Sequence, residues 1–256
     1  MSIATDRRTE WERNGFLTHL RIHDAAENAR VRAQFDALEA VEGQEKCQIG
    51  LVDRHWDQPF IWEIAAHPRI LDAVEEVMGP DIMLLATHFF CKYPRGEGEP
   101  EKFVAWHQDV TYWGLEPAFA ITAWYAVDDA DVENGCMRAL PGTHDCIREH
   151  GKSETIGNLL SINQAVPVSA EEEARAVDMP LRAGEISLHH GTLIHGSNPN
   201  RSQRRRCGMT IRYIPPQVHQ YEKNSQGRLY RAILLRGEDR FHHFGDVAPP
   251  YPLPAG

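Results

Sequence analysis

The chain has 256 residues, a formal net charge of −10 and 42% hydrophobic against 25% charged residues. This is the composition of a soluble globular protein, and the acidic balance argues against nucleic acid or an anionic membrane as a partner held by bulk charge. No apolar run approaches the roughly 18 residues that cross a bilayer. Since barrels of this length are routine single domains, we expect one domain over 1–256.

The cysteines and the N-terminus predict a cytoplasmic location. Five cysteines are scattered along the chain without C-x-x-C spacing, which favours free thiols in a reducing compartment over a disulfide framework or a zinc site. Residues 1–11 are charged and lack the apolar core of a signal peptide.

The first 80 residues read as a largely helical support. Asp24 is a candidate N-cap, Pro68 suits the first turn of a helix, and Gly79 suits a helix C-terminus. The predicted helices are 5–13, 24–39 and 69–78.

From residue 81 onward the pattern changes to strands. The stretch 94–102, with two prolines and two glycines, interrupts them as a loop. Helices followed by strands predict a mainly β fold with a helical buttress, a double-stranded β-helix (jelly-roll, cupin-like) core over 81–216. We expect a C-terminal extension over 217–256, ending in a poorly anchored proline-rich tail at 249–254. The predicted strands are 82–93, 119–127, 136–140, 185–190, 193–195 and 206–214, and residues 110–113 are expected to continue a strand through the preceding histidine.

An H-x-D pair and a distant histidine suggest a metal site. His107 and Asp109 are two apart, so on a strand both side chains would point to the same face. A third ligand from elsewhere would complete two histidines and one carboxylate, the ligand set of non-haem Fe(II) oxygenases, which leaves positions on the metal open. His195 competes for that third position with His189 and His190.

Three consecutive arginines open the predicted strand 206–214. An arginine fork at the end of a strand could hold a carboxylate in bidentate fashion, which is what the distal carboxylate of 2-oxoglutarate requires. Arg204 and Arg206 would share a face of that strand, so periodicity leaves the choice between them open.

These motifs together resemble the phytanoyl-CoA dioxygenase-like (PhyH) family of Fe(II)/2-oxoglutarate-dependent oxygenases, in particular its bacterial small-molecule hydroxylases. The resemblance spans most of the chain. The matching stretches are ERNGF (12–16), WHQDVTYW (106–113), ENGCMRALPGTH (133–144), HGSNPNRSQRRR (195–206) and IRYIPP (211–216).

The resemblance implies the roles of the site residues. It selects His195, with His107 and Asp109, as the metal ligands, since an H-G-S motif followed by arginine at the eleventh position marks the third ligand in the family. The same offset selects Arg206 for the 2-oxoglutarate carboxylate. By family position, Ser197 and Thr122 would place hydroxyl groups against 2-oxoglutarate.

Five further residues are candidates for contacting the substrate. His88 and Lys92 share one face of the predicted strand 82–93, and Trp124 shares a face with Thr122 on the strand 119–127. Polar groups in a barrel interior need partners, and each candidate also has an ordinary structural interpretation, as a packed aromatic ring or a solvated cation. Arg212 and Tyr213 are interpreted as structural. The substrate candidates are His88, Lys92, Trp113, Trp124 and Arg138.

The resemblance implies hydroxylation of an unactivated C–H bond of a small molecule, with Fe(II), 2-oxoglutarate and O2 required and succinate and CO2 released. An amino acid, a phosphonate or a natural-product intermediate is the expected substrate, and the protein a monomer or homodimer. Related halogenases carry a small residue at the position of Asp109, so the carboxylate predicts hydroxylation. The alternatives are a cupin-type isomerase, a metal-binding module without oxygenase activity, and a peptide or protein hydroxylase.

Overall fold

The computed structural model describes residues 3–153, 155–160 and 163–254. The helices are α1 (Ile3–Asn14), α2 (Ala25–Glu42), α3 (Gln44–Ile49), α4 (Pro59–Ala65), α5 (Pro68–Met78) and α6 (Ala170–Glu173). The strands are β1 (Phe16–Arg21), β2 (Ile82–Lys92), β3 (Val104–His107), β4 (Leu115–Glu116), β5 (Ile121–Ala126), β6 (Met137–Ala139), β7 (Gly151–Lys152), β8 (Gln164–Ala165), β9 (Val177–Met179), β10 (Glu185–His190), β11 (His195–Ser197), β12 (Arg206–Ile214), β13 (His219–Gln220) and β14 (Ile233–Arg236).

The three predicted helices are present, and local chemistry explains where they begin. The Asp24 carboxylate accepts hydrogen bonds from the backbone amides of Ala26 and Glu27, and the Glu27 side chain accepts one from the Asp24 amide. This reciprocal capping starts α2. The fifth helix begins at Pro68 and is followed by Gly79, whose φ of 106° few other residues adopt. No helix within the described ranges is long and apolar enough to cross a membrane.

The N-terminal helices form the buttress by packing on the larger sheet. Phe35 of α2, Trp62 of α4 and Ile70 of α5 share one core with Tyr125 and Tyr213 of the sheet, and all five are fully buried. The sequence did not predict α4, because its residues are buried nearly all round and carry no amphipathic period.

Two antiparallel sheets form the β core. The larger has the order β1-β10-β5-β12-β2-β14 and the smaller the order β3-β11-β6-β9. Residues of both sheets line one cavity between them, as in the jelly-roll fold. Two strands of the larger sheet, β1 and β14, come from outside the expected limits of 81–216, because pairing partners distant in sequence leave no local signal.

The expectation of a strand over 110–113 is wrong. The third strand ends at His107, and residues 109–112 form a 3-10 helix. The Thr111 hydroxyl donates to the carbonyl of Gln108 at 2.9 Å, and the Trp113 amide donates to the carbonyl of Val110 at 3.3 Å. These bonds within the segment replace the ladder bonds that a longer strand would require.

The C-terminal tail is anchored, contrary to the expectation. The indole nitrogen of Trp62 donates a hydrogen bond to the carbonyl of Pro252 at 2.9 Å. Val247 and Tyr251 pack against the core under the larger sheet. A proline-rich segment without periodicity can thus be held by a few side chains of a distant helix.

Candidate metal centre and its two cavities

His107, Asp109 and His195 converge between the two sheets. Strands β3 and β11 pair in a register that sets His107 directly opposite His195, with ring centroids 4.1 Å apart. Asp109, at the start of the 3-10 turn, brings Oδ1 to 3.5 Å from Nε2 of His107. One ligand atom from each residue lies within 4.8 Å of the other two, and all three residues are buried.

Hydrogen bonds orient both imidazoles for metal binding. Nδ1 of His107 lies 2.9 Å from the carbonyl of Ala105, and Nδ1 of His195 lies 2.9 Å from the carbonyl of Leu193. Because a carbonyl accepts, each Nδ1 carries the proton, and each Nε2 keeps a lone pair that can bind a metal.

The electrostatics of the three residues suit a cation. Burial alone would raise the pKa of Asp109, yet the adjacent His107 and His189 imidazoles hold that pKa well below its usual value. Burial, with the nearby imidazoles of His107 and His189, lowers the pKa of His195. An ionised carboxylate and a neutral imidazole are the forms that bind metals. The two nitrogens and one oxygen therefore fit Fe(II).

Thr122 and His189 contact the second carboxylate oxygen of Asp109, Oδ2. The Thr122 hydroxyl donates to Asp109 Oδ2 at 3.0 Å, and Nε2 of His189 lies 3.4 Å from the same oxygen. The sequence expectation placed Thr122 against 2-oxoglutarate, but its hydroxyl is directed to Asp109 and it lines neither cavity described below. His190 faces away, its ring packed beside those of Trp11 and Phe119.

The first cavity, of about 460 Å³, extends from the triad to Arg206. Arg206 is buried, its guanidinium lies 5.3 Å from the ring centre of Trp124, and one terminal nitrogen donates to the carbonyl of Phe90 at 3.3 Å. Its Nε has no hydrogen-bond partner among the described residues. Gly208 makes room for the Trp124 ring, because a Cβ there would lie 2.0 Å from Cζ2 of Trp124.

The two neighbouring arginines are already paired outside the cavity. Arg204 bonds to Asp131 at 2.8 Å, and Arg205 bonds to Asp128 at 2.8 Å. Geometry therefore distinguishes Arg206 from Arg204, which strand periodicity alone did not.

Lys92 and Ser197 form a polar cluster beside Arg206. The ammonium of Lys92 donates to the Ser197 hydroxyl and to the carbonyl of Asn198, both at 2.5 Å. Lys92 is 1% exposed, and burial, together with the charge of Arg206, lowers its pKa well below the usual value. Because Ser197 and Arg206 both line the first cavity, this cluster defines its polar end.

The second cavity, of about 710 Å³, lies on the other side of the triad. It shares Phe90, His107, Asp109 and Arg212 with the first cavity.

The substrate candidates divide between the cavities. His88 and Trp113 line the second cavity, whereas Trp124 lines the first. Arg138 lines neither: it pairs with Asp178 at 3.1 Å, which β9 sets opposite it, and with Glu173 of α6 at 3.3 Å.

Sequence reasoning missed part of this lining. Arg212 was interpreted as structural but lines both cavities, and its shared face with Arg206 on β12 is the signal that could have identified it. Tyr213 is structural, since its hydroxyl donates to the carbonyl of Ala65 at 2.7 Å. Other lining residues come from the 3-10 helix 109–112 and from loops, which carry no periodicity. They are Tyr112, Leu159, Leu160, Asn224, Gln226, Arg228 and Tyr230.

Known proteins are similar to this chain in sequence and in fold. Residues 11–208 match the family model of phytanoyl-CoA dioxygenase (PhyH). The peroxisomal phytanoyl-CoA dioxygenase of Bos taurus is 26% identical over 256 residues, which covers 91% of this chain and 75% of that protein. A solved apo structure of the non-heme monooxygenase ThoJ aligns with a TM-score of 0.74 and 27% identity, covering 94% of this chain and 86% of the other.

A further neighbour was solved with iron and co-substrate. CytC3 with Fe(II) and alpha-ketoglutarate aligns with a TM-score of 0.70 and 24% identity over 95% of this chain and 91% of its own. The fold is a jelly-roll, and the converging triad supplies the two nitrogens and one carboxylate that suit non-haem iron. The chain belongs to the phytanoyl-CoA dioxygenase family. It is a 2-oxoglutarate-dependent oxygenase.

Proposed function

We propose that this enzyme hydroxylates an unactivated C–H bond of a small molecule, with His107, Asp109 and His195 as the iron ligands. The carrying observation is the buried Arg206, whose Nε lacks a partner among the described residues although it lines the cavity that reaches the triad. A buried guanidinium left unpaired is unfavourable. A ligand with a carboxylate at that end of the cavity would complete it, and 2-oxoglutarate is such a ligand.

The chain's residues bind and orient the reactants. Once bound, Fe(II) with 2-oxoglutarate and O2 supplies the oxidation of a C–H bond, with succinate and CO2 as the other products. Arg206 would hold the distal carboxylate of 2-oxoglutarate as a fork, with Ser197 assisting. Thr122 would hold the carboxylate of Asp109 in place, since its hydroxyl donates to Oδ2. Trp124 and Met137 supply the apolar lining that limits water.

The polar cluster suggests a change in the role of Lys92. It was a substrate candidate on the sequence, but it bonds to Ser197 and stands beside Arg206 at the co-substrate end. We assign it to positioning Ser197. His88 and Trp113 remain substrate candidates, because they line the second cavity.

The organisation and location of the enzyme are also proposals. We propose a single oxygenase domain that works in the cytoplasm, as a monomer or homodimer, on an amino acid, a phosphonate or a natural-product intermediate. The five free cysteines support a reducing compartment.

Anaerobic spectroscopy tests the co-substrate site. Fe(II) and 2-oxoglutarate added to the wild type should produce the weak visible charge-transfer band of the chelate. Arg206→Lys keeps the charge but loses the fork, so the 2-oxoglutarate concentration for half-maximal absorbance should rise roughly ten- to hundred-fold. Arg205→Lys is the matched control, because its guanidinium is paired with Asp128 outside the cavity. An equal rise in both variants would remove Arg206 from this role.

Isotope labelling tests the reaction type. A panel of small molecules is screened for substrate-stimulated succinate release, and the active compound is then turned over under ¹⁸O2 in saturating chloride. One ¹⁸O atom in the product and no chlorine is the expected result, allowing for partial exchange with water. A chlorinated product, or an isomer without new oxygen, would contradict hydroxylation.

A further inference from the structure

The side chain of Arg212, at the wall of the second cavity, makes no ion pair or hydrogen bond with the described residues, although Asp109 and Asp53 are close enough to interact with it electrostatically. Its guanidinium lies 4.7 Å from the ring centre of Trp113, and its Nε is buried without a hydrogen-bond partner. No ion pair joins Arg212 to a carboxylate within the described parts of the chain. Asp109, the acid on the same cavity wall, is instead contacted by Thr122 and His189. The guanidinium therefore has unused donors facing a cavity.

The co-substrate does not account for this arginine. Arg206 and Arg212 are on the same face of β12 but six residues apart, which is roughly 20 Å along a strand. Arg206 lines only the first cavity, whereas Arg212 also lines the second. With 2-oxoglutarate held between Arg206 and the triad, Arg212 still lines the second cavity, where it can bind a different anion.

The other charged groups of the second cavity are neutralised. Arg228 pairs with Asp53 at 3.5 Å and donates to the Gln226 side chain at 2.8 Å. His88 lies 2.6 Å from the carbonyl of Ile49, and burial, with the charge of Arg212, lowers its pKa to about 3. His88 is therefore uncharged at neutral pH. Arg212 is the cation of this cavity that the described residues leave unpaired.

The remaining lining combines apolar and aromatic side chains with the polar side chains of Gln164, Asn224, Ser225 and Gln226. Leu159 and Leu160 form one part of it, and Tyr112, Trp113 and Tyr230 contribute rings. A ligand that fits such a cavity has an apolar body with a small anionic group. The planar fork of arginine matches a carboxylate in shape.

We infer that the second cavity binds the primary substrate through its carboxylate, with Arg212 as the specificity-determining residue and the aromatic walls holding an apolar body. The substrate class is therefore a carboxylic acid with a hydrophobic or aromatic portion. This inference rests on the proposed function, because it takes 2-oxoglutarate to occupy the first cavity.

Binding to the zinc-substituted complex tests the inference without turnover. Zn(II) in place of Fe(II), with one equivalent of 2-oxoglutarate, gives a diamagnetic complex suited to ligand-observed NMR. The probes are 3-phenylpropionate and its neutral amide, 3-phenylpropanamide, at millimolar concentration. The carboxylate should bind roughly ten- to hundred-fold more tightly than the amide, as expected for charge-assisted hydrogen bonds.

A matched pair of variants assigns that preference to Arg212. Arg212→Gln should remove the preference for the carboxylate. Arg231→Gln should keep it, because Arg231 also stacks on a tryptophan, 4.5 Å from the ring centre of Trp56, but lines neither cavity. Near-UV circular dichroism checks that each variant is folded. If Arg212→Gln fails to fold, Arg212→Lys should retain a weakened preference, and the wild-type comparison of the two probes needs no variant.

The outcomes separate the two proposals. Failure of the wild type to bind 2-oxoglutarate with the metal would contradict the proposed function. If 2-oxoglutarate binds but the amide binds as tightly as the carboxylate, or neither binds, the inference is overturned and the proposed function stands. It is also overturned if Arg212→Gln weakens 2-oxoglutarate and leaves the preference unchanged.

Discussion

The two cavities beside the triad differ in how their walls are built. The polar end of the first is formed by Arg206, Lys92 and Ser197, all on strands, and hydrogen bonds join β12 to β2 there. The second takes much of its wall from loops, including residues 224–230. Arg206 is enclosed by a carbonyl and an aromatic ring, whereas Arg212 faces the loop-built side.

The difference in wall construction suits two binding tasks: binding a co-substrate that stays the same and binding a substrate that differs between enzymes. Strands hold side chains more rigidly than loops, and loops tolerate sequence change. A co-substrate that never changes suits the strand-built cavity, and a substrate particular to one enzyme suits the other. The comparison predicts that the two cavities can be impaired independently, except through the triad that they share.

The largest effect on activity is expected at the triad, because both cavities share it and a change there should impair both. Asp109→Gly removes the carboxylate that lines both cavities. We expect activity to fall by more than the roughly 100-fold seen when a residue supporting a metal ligand is changed. We also expect no chlorinated product, because a vacant coordination position alone does not orient halide or substrate. Succinate release and product mass report the outcome. Asp145→Gly, at an exposed acid, should retain activity; equal activity of both variants would exclude Asp109 as a ligand.

Gly208→Ala should impair the first cavity selectively. The new Cβ would meet the Trp124 ring at 2.0 Å, so the ring must move, at a cost of about 1–3 kcal/mol of folding free energy. Chemical denaturation measures the stability, and the chelate band measures a weaker affinity for 2-oxoglutarate. Gly151→Ala is the control, since nothing lies within 4 Å of its added Cβ. If Gly208→Ala is destabilised but its chelate band is unchanged, then the position of the Trp124 ring does not affect the binding of 2-oxoglutarate.

Thr122→Val should weaken iron binding without altering either cavity wall. It removes the hydroxyl that donates to the ionised Asp109 carboxylate at 3.0 Å, a hydrogen bond to a charged group worth about 1.5 kcal/mol. Iron affinity, measured by anaerobic titration, should fall roughly ten-fold, and Thr122→Ser should restore it. A selective loss of 2-oxoglutarate affinity would return Thr122 to the role that the family resemblance implied.

The smallest effect is expected from loosening the loop wall of the second cavity. The Asn224 side chain accepts hydrogen bonds from the amides of Gln226 at 3.1 Å and Arg228 at 2.9 Å. Asn224→Ala removes the one oxygen that accepts both hydrogen bonds, each worth about 1 kcal/mol, so amide exchange across 224–230 should accelerate in hydrogen-exchange mass spectrometry. The chelate band should not change. A weaker chelate would show that the two cavities are coupled through this loop.

The amino-acid sequence determined the features that depend on local pattern. It predicted the strands 185–190 and 206–214 with the bounds that the structure has, because buried strands carry dense apolar runs. It predicted the start of α2 at Asp24, because a cap acts within one turn. The ordered motifs from 106 to 206 also predicted the family and the iron and 2-oxoglutarate chemistry.

Tertiary structure decided everything that depends on distant partners. The turn after His107 departs from the strand that the H-x-D spacing suggested, and Thr122 is directed to Asp109. Strand periodicity did not distinguish Arg206 from Arg204; the structure places Arg206, the residue that the family resemblance implied, in the first cavity, and the acids that pair with Arg204 lie on a distant turn. The structure likewise leaves Arg212 without an ion pair among the described residues, because Asp109, the acid on the same cavity wall, is contacted by Thr122 and His189. The packing of sheets and loops decides which charged side chains come together, and no short stretch of the sequence carries that information.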